Sequence, residues 1–329
     1  MLGMVLWVGW IRMSVRQEAV AFKSGSYTIR GILLSPRFSK LAPGVVLVHG
    51  SGETSRKSMM SYAWIFASKG YAALAYDKRG VGQSDGKAIE WKEFSINDLA
   101  SDASAAYLFL QSRNHINHRK IGFFGASQGG WVVALAANQV EKPAFLVMAS
   151  ASLSSVAEDR IFGREAQVRH AGYGEKAVDQ ATELMRLDHQ VTRSGESFEE
   201  FLAAWNRYCK EPWFSAVYQN NSPMPVNDPY RDWERKVLDF NPQPLLAKIQ
   251  SPVLWIFGDP ALDRFSPVKL SIQRVKLSRA AGKPYELIQI NEVGHTLETE
   301  DGSGLKSIFR IRIPLVWRIF QWLDSQCDI

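Results

Sequence analysis

FFGASQGGWVVALAANQ, residues 123–139, is the stretch whose reading decides the fold. Lys120 to Phe124 reads as a short buried strand, and Gly130 to Asn138 as a helix. Between them lies Gly125-Ala126-Ser127-Gln128-Gly129, where the chain must turn sharply. So tight a bend strains the residue at its apex, and glycines on either side relieve the crowding because they lack a Cβ. The Ser127 hydroxyl then stands exposed at the C-terminal edge of a sheet. The N–H groups that open the helix point at the same spot, which favours developing negative charge. In this strand–turn–helix context Gly-x-Ser-x-Gly reads as a nucleophile elbow; without it, the pentapeptide would be a plain glycine-rich turn.

Working outward, Val20–Lys23 and Tyr27–Leu34 read as two strands joined by a Ser-Gly-Ser turn. Gly44–Val48 is a continuous apolar run of the kind buried on both faces of a parallel sheet. A helix over Met59–Ser68 follows, then a strand over Tyr71–Tyr76 and a helix over Ile96–Gln111. Phe145–Ser150, Pro252–Phe257 and Tyr285–Ile290 read as further strands, and Arg310–Leu323 as a final helix. Strands alternating with helices predict an α/β fold with a mostly parallel central sheet covered on both faces. The alternation breaks between about 154 and 244, where no buried strand is visible and Trp205, Trp213 and Trp233 fall among charged helical segments. We read residues 17–153 and 245–329 as the core and 154–244 as a helical cap inserted at the strand ends.

Composition narrows the function. The chain has 329 residues, 46% hydrophobic and 22% charged, as a soluble globular protein does. Its net charge of +6 is scattered rather than gathered into a stripe, which argues against a nucleic-acid partner. Cys209 and Cys327 show no metal-ligand or redox spacing and read as free thiols. Nothing calls for a metal or an organic cofactor. Residues 1–16 form an extension whose first eleven residues are apolar, shorter than the roughly twenty needed to span a bilayer. Residues 1–11 are expected to pack on the fold or touch a membrane surface. The chain reads as cytoplasmic, with a peripheral-membrane or exported form as the alternatives.

A serine hydroxyl needs a base. His115, His118, His170 and His189 sit in polar or helical stretches and read as surface residues. His49 belongs to the turn after the first core strand. His295, in Glu292-Val293-Gly294-His295-Thr296, leaves the last strand and can lie over the sheet edge beside Ser127, so it is the expected base. The base needs a carboxylate to hold its tautomer. The loop after Pro252–Phe257 offers Asp259 and Asp263; Asp263 is favoured, because Asp259, directly before Pro260, looks like a turn former. An oxyanion needs N–H donors. One is expected from Gln128, directly after the nucleophile. The other is expected from Ser51 in His49-Gly50-Ser51-Gly52, with Gly50 or Gly52 as alternatives.

These motifs carry a resemblance. HGSG at 49–52, YDKRGVGQSDG at 76–86, GASQGG at 125–130 and GH at 294–295 occur in the order of the α/β-hydrolase superfamily. In detail the chain resembles bacterial esterases related to dienelactone hydrolases and serine aminopeptidases. That resemblance implies an α/β-hydrolase fold, a cap in the insertion, and a structural part for Asp77 and Arg79 in bracing the loop beside the oxyanion hole. The doubled acid loop and the apolar N-terminus depart from the family pattern.

Three readings follow. The leading one is a serine carboxylesterase that acts on a small or medium acyl ester through an acyl-enzyme. The second is a peptidase or amidase with the same machinery, whose free-amine substrate would want a cap carboxylate; Glu158, Asp159, Glu199 and Glu200 are the candidates. The third is a non-catalytic binding protein on a hydrolase scaffold, which the full set of Ser, Asp and His candidates disfavours. A haloalkane dehalogenase would need a carboxylate in place of Ser127.

Overall fold

The structure, a computed structural model, describes residues 13–86, 94–218, 222–297 and 313–327. The expectation for residues 1–11 lies outside the described residues.

Eight strands form one sheet: β1 Val15–Ser24, β2 Tyr27–Pro36, β3 Ala42–Val48, β4 Ala72–Tyr76, β5 Ile116–Ala126, β6 Leu146–Ala149, β7 Val253–Phe257 and β8 Tyr285–Gln289. Their order is β1-β2-β4-β3-β5-β6-β7-β8. The β1–β2 hairpin and the β2–β4 pair are antiparallel, and all other pairs are parallel. The sheet therefore matches the expected architecture. Four strands are longer than expected, β2 and β3 slightly and β1 and β5 by more. β1 begins at Val15, which is buried ahead of the polar run Arg16-Gln17-Glu18 and pairs with Pro36, so residues 15 and 16 belong to the sheet and not to an extension. β5 begins at Ile116, where a polar leader, Asn117-His118-Arg119, precedes the buried part.

Helices cover both faces. On one side lie α1 Met60–Ser68 and, at the end of the chain, Ile313–Cys327. On the other lie α2 Ile96–Gln111, α3 Gln128–Ala136 and the helix Val268–Ala280. Strand alternation divides the core accordingly: Val46 and Val48 face the second group, Val45 and Leu47 the first. β3, β4, β6 and β7 are buried along their whole length, which is why they read as unbroken apolar runs. α2 starts at a capping box, with Ser95 and Asp98 each bonding the other's backbone N–H.

Between β6 and β7 the chain leaves the sheet to form α4 Val156–His170, α5 Glu175–Ser194, α6 Phe198–Tyr208 and α7 Pro229–Val237. α4, α5 and α6 share an apolar cluster of their own, including Val168, Leu184, Phe201, Trp205 and Trp213. Trp205 and Trp213 are thus packing residues, as tryptophans on helices usually are. Arg231 of α7 is fully buried. It donates to the Met224 and Pro225 carbonyls, to Thr192 Oγ1 and to Asp188, and so ties α5, α7 and the connecting loop together.

The topology chooses where a site can form. β3 pairs with β4 on one side and β5 on the other, so the strand order reverses there and the loops leaving β3 and β5 splay apart above the sheet. A crevice at the carboxyl ends of such strands is where α/β sheets bind ligands.

Candidate active site

Ser127 sits at that crevice, between the last residue of β5 and the first of α3. Its backbone has φ 54 and ψ −124, a conformation L-residues rarely adopt, costing on the order of 1–3 kcal/mol. Bonds hold it there: Ser127 N donates to Ala149 O at 2.8 Å, and Gly130 N to Ser127 O at 2.9 Å. The glycines are required by close approach. A Cβ on Gly125 would lie 2.4 Å from Gly129 O, and one on Gly129 would lie 2.3 Å from Val48 O. The elbow is thereby pressed against the end of β3.

His295, on the loop after β8, places Nε2 2.9 Å from Ser127 Oγ. Its Nδ1 lies 2.9 Å from Asp263 Oδ2. Asp263 is buried, and its other oxygen accepts the N–H groups of Phe265 at 2.9 Å and Ser266 at 3.1 Å. Those fixed donors pin the carboxylate. Asp259 is engaged elsewhere: its Oδ1 caps the N–H of Ala261 and its carbonyl accepts the Asp263 N–H, so it shapes the turn. The structure thus brings Ser127, His295 and Asp263 into one hydrogen-bonded line. Such a line can draw a proton from Oγ to Nε2 while Asp263 stabilises the imidazolium.

The loop after β3 lies against the elbow. A Cβ on Gly50 would stand 3.4 Å from Ser127 Cβ and 4.0 Å from its Oγ. Gly52 has φ +81 and needs glycine's freedom. Gln128 heads α3, so its N–H has no acceptor within the helix. Ser51 and Gln128 both line the cavity that holds Ser127. The carbonyls of this loop turn the other way: Gly50 O accepts Thr54 Oγ1 at 3.1 Å and Lys78 Nζ at 3.0 Å, and Gly52 O accepts Lys78 Nζ at 2.9 Å.

Asp77 and Arg79 are structural, as the resemblance implies, though Arg79 braces α2 rather than the 49–52 loop. Asp77 receives the N–H groups of Arg56 and Gln83, fixing the chain on either side of β4. Arg79 forms a buried two-bond pair with Asp102 of α2, at 2.8 and 2.7 Å, and stacks on Tyr27 and Phe94. The side chain that reaches the 49–52 loop is the one between them, Lys78. Lys78 lies within the YDKRGVGQSDG stretch, where the resemblance gives a part only to Asp77 and Arg79.

The cavity measures about 940 Å³. Its floor is the strand-end loops with Ser51, Ser127, Ser150 and His295; its walls include Trp131, Phe201, Trp205, Tyr218, Tyr230 and Trp233. Ser150, after β6, also has a positive φ of 50, and its buried hydroxyl has no partner among the described residues. Of the four acids considered for a free amine, only Asp159 lines the cavity. Glu158 caps α4 and pairs with Arg274, while Glu199 and Glu200 are exposed. Burial, aided by the neighbouring Asp263 charge, pushes the Asp159 carboxyl up to about 8, against an opposing bond from Ser152 Oγ at 2.7 Å. It is therefore largely protonated at neutral pH.

His189 corrects the expectation of a surface histidine. It lies one helical turn beyond Met185 on the buried face of α5, is 3% exposed and lines the cavity. Burial, with Arg160 and Arg193 nearby, holds it neutral by lowering its pKa to about 4. His49 is also buried, with its pKa lowered to about 3 by burial and Lys78, so it is neutral at neutral pH. Among the described residues no group of three or more His, Cys, Asp or Glu gathers as metal ligands would, and no helix is long and apolar enough to cross a membrane.

A sheet with this order, a strained serine after β5 and a histidine after the last strand define an α/β hydrolase. The comparisons specify the family: residues 40–301 match the serine aminopeptidase S33 family, and the chain belongs to it. It is 32% identical over 120 residues to the quorum-quenching protein AidA of Acinetobacter baumannii, a match covering 36% of this chain and only 39% of that protein. Its fold is similar to that of a Pyrococcus furiosus esterase, with a TM-score of 0.60 at 16% identity over 96% of this chain and 95% of the other. It is also similar to Est1E of Butyrivibrio proteoclasticus, solved with ferulic acid bound, with a TM-score of 0.58 at 15% identity over 94% and 100% of the two chains.

Proposed function

We propose that the protein is a serine carboxylesterase in which Ser127 is the nucleophile, His295 the general base and Asp263 the orienting acid. The observation that carries this reading is the unbroken line Ser127 Oγ–His295 Nε2 and His295 Nδ1–Asp263 Oδ2, both contacts at 2.9 Å. Ser127 attacks the ester carbonyl as His295 takes its proton. The N–H groups of Gln128 and Ser51 receive the oxyanion. His295 then protonates the departing alcohol, leaving an acyl-enzyme on Ser127, and a water activated by His295 releases the acid. In this reading residues 154–244 are the cap, and the aromatic walls they supply take an apolar acyl or aryl group. The substrate is a small-molecule ester; the scheme needs no cofactor and no nucleic acid.

The family description and Asp159 in the cavity favour a second reading, an aminopeptidase that anchors a free amine on that carboxyl. Ester hydrolysis is preferred because a largely protonated Asp159 offers an ammonium no full charge. The test is turnover of p-nitrophenyl acetate, butyrate and octanoate beside aminoacyl p-nitroanilides, with wild type and Ser127→Ala. Ester turnover lost in Ser127→Ala supports the proposal. Turnover of the anilides alone would move the assignment to the peptidase.

A further inference from the structure

Lys78 takes no part in the scheme above, yet it touches the loop on which the scheme depends. It is 3% exposed, and lysines are almost never so buried without an anionic partner. Among the described residues its amine has none. It donates instead to two backbone carbonyls, Gly50 O and Gly52 O, at 3.0 and 2.9 Å. The space beside it is bounded by His49 and Val48 at the end of β3, Tyr76 of β4, Leu99 and Asp102 of α2 and Val132 of α3. Of these, His49 is neutral, the Tyr76 hydroxyl is held well above its usual pKa by burial, and Asp102 is taken by Arg79. Arg79 and Asp77 flank Lys78 in the chain and are bonded to other elements.

A peptide bond is planar and trans, so its C=O and N–H point in opposite directions. The carbonyl of the Gly50–Ser51 peptide is drawn toward Lys78, and Thr54 Oγ1 pulls on the same oxygen. The N–H of that peptide, which belongs to Ser51, is thereby turned away from Lys78. A Cβ added to Gly50 would meanwhile stand 3.4 Å from Ser127 Cβ. We propose that Lys78 is a positioning residue of the oxyanion hole: its ammonium holds the Gly50–Ser51 peptide with the N–H presented to the oxyanion on Ser127, and places a positive charge behind that donor. The inference rests on the assignment of Ser127 as nucleophile and of Ser51 N–H as donor. The second bond, to Gly52 O, clamps the far end of the same loop, so the peptide cannot swing with the glycines on either side of it.

The role makes two demands that a simple structural lysine does not. First, losing Lys78 should lower kcat and leave KM little changed, because the donor is used in the transition state and not in ground-state binding. Removing one oxyanion donor costs roughly 10²–10³ in kcat, and Lys78→Met is expected in that range. Lys78→Gln, which can still donate to one carbonyl, should fall between Met and wild type. Second, burial lowers the Lys78 pKa to about 8. A neutral amine still donates to both carbonyls, so raising the pH removes only the charge. The wild-type kcat should therefore decline above about pH 8, and Lys78→Met should lack that decline.

The experiment is a kcat and KM profile over pH 6 to about 9.5 for wild type, Lys78→Met, Lys78→Gln and Asp159→Asn on p-nitrophenyl butyrate, with active sites counted by a fluorophosphonate. Asp159→Asn is included because that carboxyl also titrates near the same pH. Expected are a kcat loss without a matching KM change in both Lys78 variants, and an alkaline decline that survives Asp159→Asn. A folded, fully labelled Lys78→Met with wild-type kcat overturns the positioning role while leaving the nucleophile assignment intact. If Lys78→Met does not fold, Lys78→Gln and the wild-type profile decide: wild-type kcat in Lys78→Gln with a flat alkaline limb overturns the proposal. A limb that vanishes in Asp159→Asn overturns the contribution of the Lys78 charge. No turnover and no labelling by the wild type overturn the nucleophile assignment, and the proposal with it.

Discussion

On the proposed assignment, Asp263→Asn should all but silence the enzyme while leaving it folded. Asp263 Oδ1 accepts two backbone N–H groups, from Phe265 and Ser266, at 2.9 and 3.1 Å. An asparagine must keep its carbonyl oxygen there, because the amide NH₂ in that place would face two donors. The NH₂ is then forced toward His295 Nδ1, where Asp263 Oδ2 stands at 2.9 Å. His295 can accept that bond only with Nδ1 unprotonated, which puts the ring proton on Nε2. The nitrogen facing Ser127 then has no lone pair to receive the hydroxyl proton. Trapping the wrong tautomer in a Ser-His-Asp site lowers kcat about 10⁴-fold, equivalent to about 5.5 kcal/mol at 1.36 kcal/mol per decade. Asp259→Asn is the control. Its Oδ1 accepts only Ala261 N–H, a bond that the asparagine oxygen can keep. The assay is steady-state hydrolysis of p-nitrophenyl butyrate, with circular dichroism to verify folding. An Asp263→Asn enzyme within tenfold of wild type would refute the reasoning, as would an equal collapse in Asp259→Asn.

Other perturbations probe the scaffold. Gly129→Ala would set a Cβ 2.3 Å from Val48 O and 2.9 Å from His49 O, both backbone, so neither can swing aside; a loss of about 1–3 kcal/mol is expected in urea unfolding, with activity falling further as the elbow shifts. Arg231→Ala leaves Asp188 and several carbonyls without their buried partner and should cost about 3–5 kcal/mol, read from the shift in urea midpoint. Asp159 has a folded pKa of about 8 against an ordinary 3.8, so between those values the native state holds a proton that the unfolded chain has released. Stability from this group is fully present below about pH 4 and falls as pH rises toward 8. Asp159→Asn should flatten that part of the Tm-against-pH curve, and an unchanged slope would refute the assignment.

How much of this was legible beforehand follows the physics of each part. β3, β4, β6 and β7 are buried on both faces, so unbroken apolar runs identified them. The elbow was legible because so tight a bend demands glycines at fixed offsets. The start of β1 was not, since an exposed edge strand with Arg16, Gln17 and Glu18 looks like a loop. The choice between Asp259 and Asp263 could be argued from Pro260 and from the place of Asp263 four residues before Pro267, but the bonds from Phe265 and Ser266 that pin Asp263 appear only in the folded loop. His189 reads as a surface residue because the sequence does not show which face of α5 packs inward against α4, α6 and α7. The bonds of Lys78 are illegible for a similar reason: its partners are carbonyls, and carbonyls carry no sequence signature.

The most direct test of the central assignment is intact-protein and peptide mass spectrometry after rapid acid quench of the enzyme with p-nitrophenyl butyrate. Expected is one added butyryl group per chain, mapped to the peptide carrying Ser127 and absent from Ser127→Ala. An acyl group on another residue, or steady turnover by the Ser127→Ala protein, would contradict the assignment of Ser127 as the nucleophile.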